Sequence, residues 1–283
     1  MSTVAEREAP GDSVAGDRER PVYKVTAARV LRSEWAKLWS LRSTWITLGL
    51  GLLFLIAFGV ISLAHYKSAL DSGHRMDPDL ATASAADLSL FGTTPGQLAL
   101  GVLGVLVTAG EYSTGMIRST LAAVPKRLPV LWSKTLVYGV MAFLVALVGV
   151  FAAFVFGHGI VSGTPAAVSL SDAGVVRTLF GGALYLGLVG MIGVALGALL
   201  RSVAGGISVL VATLMLIPGL AELLPSSWQN SLNQFLPSNA GKSMFTLHQA
   251  AHTLSPGAGL LVFLAWTVLV LAGAAYRLVR TDA

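Results

Sequence analysis

Residues 111–134 read EYSTGMIRSTLAAVPKRLPVLWSK, between two uncharged apolar stretches, 90–110 before and 136–156 after. Each flank is long enough for a helix to cross about 30 Å of hydrocarbon, which takes roughly 20 residues. Glu111 stands where the first flank ends. Ser113 or Thr114 is placed to cap a new helix, since a short hydroxyl side chain can accept from an orphan backbone N–H. Ile117, Leu121 and Val124 then recur at i, i+4 and i+7, one face of a helix, and Pro125 stops it. Lys126, Arg127 and Lys134 return the chain to a basic interface. The segment predicts a short amphipathic helix slung between two membrane spans. Its apolar stripe needs a partner, either the membrane surface or another protein, and the residue pattern by itself leaves both open.

Outward from this segment, four more stretches are free of Asp, Glu, Lys and Arg over membrane-crossing lengths. The six predicted spans are 45–64, 90–110, 136–156, 178–200, 203–220 and 257–276. Residues 223–241 are also uncharged, but Pro225, Asn230, Asn233, Gln234 and Pro237 make them too polar to count. They are expected at the membrane surface or re-entering it, which is tolerated only where protein satisfies the backbone. Residues 1–24 read as a disordered tail. In 25–43, Leu31, Trp35, Leu38 and Trp39 recur at helical spacing among Arg29, Arg32, Lys37 and Arg42. That is the pattern of an amphipathic helix lying in the interface, against a competing reading as a polar lead-in with incidental aromatics.

Composition agrees with six spans. Charged residues are 12% of the 283, against about 25% in an ordinary soluble domain. A soluble enzyme of this size would lack the charge to cover its surface. The absence of cysteine excludes disulfide scaffolds, thiolate metal sites and thiol nucleophiles. A net charge of +5 would suggest nucleic acid in a soluble protein. Here it is an orientation signal. With the N-terminus cytoplasmic, Lys and Arg near the spans divide eleven inside to four outside, which places both termini in the cytoplasm. Arginine outnumbers lysine 13 to 6, and alanine and glycine abound, a composition common in high-GC bacteria.

Glycines 182, 187, 190, 193 and 197 cluster on one side of the fourth span, spacing that lets helices approach closely within a bundle or at a moving or dimer interface. Pro218-Gly219 should kink or end the fifth.

The chemistry that is missing narrows the function. No predicted span carries an ionisable acidic or basic residue, which counts against a proton-coupled carrier, although Glu111 and Glu222 lie at span ends. Gly241-Lys242-Ser243 resembles the end of a phosphate loop, but the required first glycine falls at Leu236. His248 and His252 are four apart, yet Gln249 replaces the glutamate of a zinc protease. The aspartates of 65–87 lack calcium-loop spacing, and Ser162 has no intramembrane base. No metal site, no catalytic residue and no resident cofactor are expected.

The 111–134 segment, with Ser33-Glu-Trp-Ala-Lys-Leu-Trp-Ser-Leu-Arg-Ser-Thr-Trp45 before it, resembles the permease subunits of type-2 ABC exporters, particularly an actinobacterial branch. Glu111, Gly115, Leu121, Pro125, Arg127 and Lys134 follow the family pattern in order, and 236–241 is also similar. The resemblance runs from Ala27 to the C-terminus. It implies an all-α integral membrane protein with six spans, an interfacial N-terminal helix and a cytoplasmic coupling helix, residues 25–283 forming one permease domain. It implies pairing with a second copy or a related permease, and with a separate ATPase subunit that binds ATP and magnesium. Glu111, Ser113, Thr114, Gly115, Ile117, Arg118, Leu121, Pro125, Arg127 and Lys134 would couple to that ATPase. Trp35, Leu38 and Trp39 would anchor the interfacial helix, and Glu222, Pro237, Asn239 and Gly241 would belong to an outer re-entrant cap. The expected activity is ATP-driven export across a bacterial plasma membrane, of a lipophilic or amphipathic substrate given the few polar groups in the spans. No nucleic acid is expected as partner. The alternatives are an ion-coupled secondary carrier, a membrane enzyme, or a membrane anchor for a signalling ATPase.

Overall fold

A computed structural model describes residues 26–73, 76–124, 127–249 and 253–280. The tail 1–24, Pro125, Lys126, His74, Arg75 and His252 lie outside the described residues. All regular elements among the described residues are helical.

Thr26 starts α1 (Ala27–Ser40), its hydroxyl accepting from the Arg29 N–H. An extended residue, Leu41, separates it from the thirty residues of α2 (Arg42–Asp71). Two short helices follow, α3 (Pro78–Thr82) and α4 (Ala85–Ser89), and a 3-10 turn at Leu90–Gly92 leads into α5 (Thr93–Ser113). Then come α6 (Met116–Ala123), α7 (Arg127–His158) and α8 (Val175–Leu200). The next rod is α9 (Val203–Val211), a π-turn at Ala212–Leu216 and α10 (Ile217–Ala221). The chain ends through α11 (Ser226–Leu232), α12 (Pro237–Ser243) and α13 (Pro256–Arg280).

Six rods are long and apolar enough to cross a membrane: Arg42–Asp71, Ala85–Ser113, Arg127–His158, Val175–Leu200, Val203–Ala221 and Pro256–Arg280. Each contains one predicted span, so the all-α, six-span class holds. The rods overrun the predicted limits because charge marks the edge of hydrocarbon, not of helix. The 32 residues of α7 reach about 48 Å at 1.5 Å per residue, well beyond the hydrocarbon thickness.

The bundle is built around α8, which is buried over most of its length. Its glycines do the packing expected within a bundle. A Cβ on Gly193 would stand 2.2 Å from the Gly101 carbonyl of α5, and one on Gly190 would stand 2.9 Å from the Tyr138 ring of α7. Such close approach is possible only where α8 carries no Cβ. Tyr138 in turn donates from its hydroxyl to the Leu100 carbonyl, tying α7 to α5. At the periphery, α2, the π-turn and α10 turn Ile46, Leu53, Leu216 and Leu220 outward, the apolar exposure of a lipid-facing surface.

Pro218 lies near the end of the fifth rod without breaking it. It has no N–H for the Leu214 carbonyl and its ring crowds that group. The chain absorbs the mismatch in the π-turn and ends at Ala221. Residues 223–241, not counted as a span, are two short helices and a 3-10 turn, and α12 packs its buried residues on α13.

Candidate functional site

Sequence places Glu34 on the one stripe of α1 that is buried, Val30, Glu34 and Leu38, so a carboxylate turns inward with the apolar residues. Glu111 ends the hydrophobic run of α5, and Lys134 lies two turns into α7. Glu34, Glu111 and Lys134 are each 3–4% exposed. Isolated, such charges would cost several kcal/mol each. They meet instead, together with Lys37.

The Lys134 ammonium lies 2.7 Å from Glu34 Oε2 and 2.8 Å from Glu111 Oε1. Lys37 Nζ lies 2.8 Å from Glu34 Oε1 and 3.2 Å from Glu111 Oε1. Two carboxylates and two ammoniums thus alternate in a closed, electrically neutral square. Lys37 also donates to Thr120 Oγ1 of the loop helix α6, at 3.3 Å. Four elements, α1, α5, α6 and α7, meet through five side chains. Burial alone would push the Glu34 carboxyl up, but the Lys134 charge and hydrogen bond, then those of Lys37, outweigh it and hold it below its ordinary value. Burial opposes charge on Lys37 too, and Glu34, then Glu111, more than compensate, raising it. Glu111 Oε2 is buried without a hydrogen-bond partner, so all of this residue's bonding runs through one oxygen.

The end is braced by further cations. Arg127 donates to the Leu278 carbonyl of α13 at 3.1 Å, and Arg277 donates to the Leu199 carbonyl of α8. Each guanidinium sits at a helix C-terminus, where unsatisfied carbonyls concentrate negative charge. Arg201 ends α8 in the left-handed conformation, φ 55°, with its guanidinium over the Tyr112 ring at 5.1 Å.

The predicted coupling residues divide. Glu111, Lys134 and Arg127 make the contacts just described. Ile117 is buried, Leu121 half-buried and Arg118 exposed, so α6 turns an apolar side inward and a cation outward. Ser113 and Thr114 do not cap α6 as expected. Both hydroxyls donate to the Gly110 carbonyl at 2.9 Å and close α5 instead. The cap position of α6 is Gly115, whose φ of 72° makes the reversal that a side chain would resist. Pro125 lies outside the described residues.

On α1 the expected stripe is split. Leu38 is buried, whereas Trp35 and Trp39 are exposed, stacked at 5.8 Å, with Trp45 edge-on to Trp39 at 4.6 Å. At the opposite end, Pro237 and Gly241 are buried, Gly241 against the Tyr185 ring. Asn239 donates to the Asn233 carbonyl at 2.9 Å, and Glu222 is exposed. His248 lies in irregular chain rather than on a helix. Among the described residues, no group of three or more His, Asp or Glu could hold a metal ion.

Sequence reasoning missed Glu34, Lys37 as an inward partner, and Thr120. The available signal was the position of Glu34, four residues after Val30 and four before Leu38, a carboxylate on an apolar face.

Fold and site together define a polytopic helical membrane protein with a buried ion-paired junction at one end. No protein-family model matches the sequence, and no curated protein matches it.

Proposed function

We propose that the chain is the membrane-spanning subunit of an ATP-driven exporter, of the type-2 ABC permease kind that the 111–134 segment resembles, in a bacterial plasma membrane with both termini cytoplasmic. The observation that carries this reading is the square of Glu34, Lys37, Glu111 and Lys134 with Thr120 attached. A loop helix held this way passes a push from outside the membrane to α1, α5 and α7 together. Among described cations, ten occupy the end carrying α1 and α6, and three (Lys67, Arg177 and Lys242) the other, which supports a cytoplasmic position for the square. The sequence holds no phosphate loop, so ATP and magnesium belong to a partner subunit, and a second copy or related permease completes the assembly. The polar groups of the spans support a lipophilic or amphipathic cargo: Tyr138 and Thr267 are buried and bonded to backbone carbonyls, leaving little to line an aqueous path.

The test is reconstitution of the chain with its ATPase in liposomes. Arg118 is exposed on α6 and outside the square, so Arg118→Glu should leave folding intact and lower transport-coupled ATP hydrolysis at least tenfold. Unchanged coupling would remove α6 from the docking surface. Transport by the chain alone, driven by a proton or sodium gradient in ATP-free vesicles, would replace the reading with a secondary carrier.

A further inference from the structure

At the end remote from the ion pairs, a cavity of about 590 Å³ opens between α2 and the α3–α4 segment, within the usual size range of small-molecule sites. Phe58, Ile61, Ser62 and His65 line one side at i, i+3, i+4 and i+7, a single face of α2. This is not the face that α2 buries, which runs through Leu55, Gly59, Leu63 and Tyr66. The lining changes character along the helix, from phenylalanine and isoleucine to serine and histidine. Ser62 and His65 stand about 30–35 Å along α2 from Arg42 at 1.5 Å per residue, the depth at which hydrocarbon gives way to headgroups.

The opposing walls repeat this gradient. Leu80, Leu88 and Phe91 are apolar, while Asp77 and Asp87 supply carboxylates. Asp87 is held in place by the Ser84 hydroxyl at 2.7 Å and the Leu247 N–H at 3.0 Å. Phe58 and Phe91 are 39% and 57% exposed, leaving ring faces that attract cations. An apolar floor at hydrocarbon depth beneath two carboxylates and two aromatic rings is complementary to one kind of molecule.

We propose that this cavity binds amphipathic organic cations, with the apolar body against Phe58, Ile61 and Leu80 and the positive charge beside Asp77 and Asp87. Binding here requires neither ATP nor a partner subunit, so the site stands apart from the exporter reading. The experiment uses the full chain in zwitterionic nanodiscs, with uptake by empty nanodiscs subtracted. Tetraphenylphosphonium is compared with tetraphenylborate, which has the same shape and the opposite charge. Saturable phosphonium binding, at least tenfold tighter than borate binding, is expected. Asp77→Asn should weaken it at least threefold, Ala83→Trp should abolish it by filling the cavity, and Asp71→Asn, outside the lining, should leave it unchanged. Equal affinity for the two ions, or absence of saturable phosphonium binding, would overturn the proposal. So would an Ala83→Trp protein with wild-type thermal unfolding and undiminished binding. If Ala83→Trp does not fold, unchanged affinity in Asp77→Asn overturns it alone.

Discussion

At the end where α1 meets the spans, carboxylates face ammoniums across long stretches of sequence, Glu34 and Lys37 reaching Glu111 and Lys134 within 2.7–3.2 Å. At the opposite end, Asp87, Asp172 and Gln229 turn to the backbone instead. Asp87 closes a capping box with Ser84 and accepts from the Leu247 N–H, Asp172 accepts from the Ser169 N–H, and Gln229 donates to the Glu222 and Leu224 carbonyls. The first arrangement fixes three helices, α1, α5 and α7, relative to one another, and no member can leave without stranding a buried charge. The second fixes turns one at a time. The first end is therefore suited to move as a unit, and the second to hold separate segments over the mouths of the helices.

Breaking the square should give the largest effect. Lys134→Met leaves two buried carboxylates sharing Lys37, and losing one partner of a buried pair typically costs about 3–5 kcal/mol. Thermal unfolding in detergent should show this loss. Lys134→Met combined with Glu111→Gln removes the excess charge and should recover much of it. Additive losses in the double variant would mean that the two residues are not energetically joined.

The opposite end should yield less, and locally. Asp87→Ala removes the carboxylate half of the capping box and the acceptor for Leu247. Hydrogen bonds to a charged group are worth about 1.5–3 kcal/mol. Hydrogen exchange should accelerate at 84–88 and at Leu247 while the amides of α5 and α7 stay protected. Acceleration that spreads through α5 and α7 would show that the two ends are one cooperative unit and would erase the contrast.

Much of this architecture is legible in the sequence, and what is not has a physical reason. Apolar length is a one-dimensional property, so six charge-free runs locate six rods. Their ends are misjudged because Glu111 and Lys134, taken as limits, are tolerated inside helices once they find each other. Glu34 and Thr120 escape notice because their partners, Lys134 and Lys37, lie 100 and 83 residues away, and only tertiary structure pairs them. Trp35 and Trp39 are grouped with Leu38 by spacing, but a wide apolar arc has two edges. One rests on the bundle and the other carries the indoles outward. Ser113 and Thr114 sit between two helix ends, and a hydroxyl there can serve either. The left-handed Gly115 gives them to α5.

The smallest expected effect is a dependence on pH whose sign inverts when the square is broken. The folded-state Glu34 carboxyl lies below its ordinary value, so its stabilisation is complete above the ordinary carboxylate value, about 4.3, and is lost as pH falls through the lower folded one. The Lys37 ammonium lies above its ordinary value, so its contribution is complete below about 10.4 and is lost as pH rises through the higher folded one. Between about pH 5 and 9 these two groups should leave Tm level, with declines outside that window at both ends. In Lys134→Met, two carboxylates share one ammonium in a buried site, and one of them takes up a proton more readily than it would in water. The stabilising form is then the protonated one, so the variant should gain Tm on going from pH 7 to pH 5, where the wild type does not change. A variant curve parallel to the wild type across that interval would show that water reaches Glu34 and Glu111 freely and that the square is a surface feature.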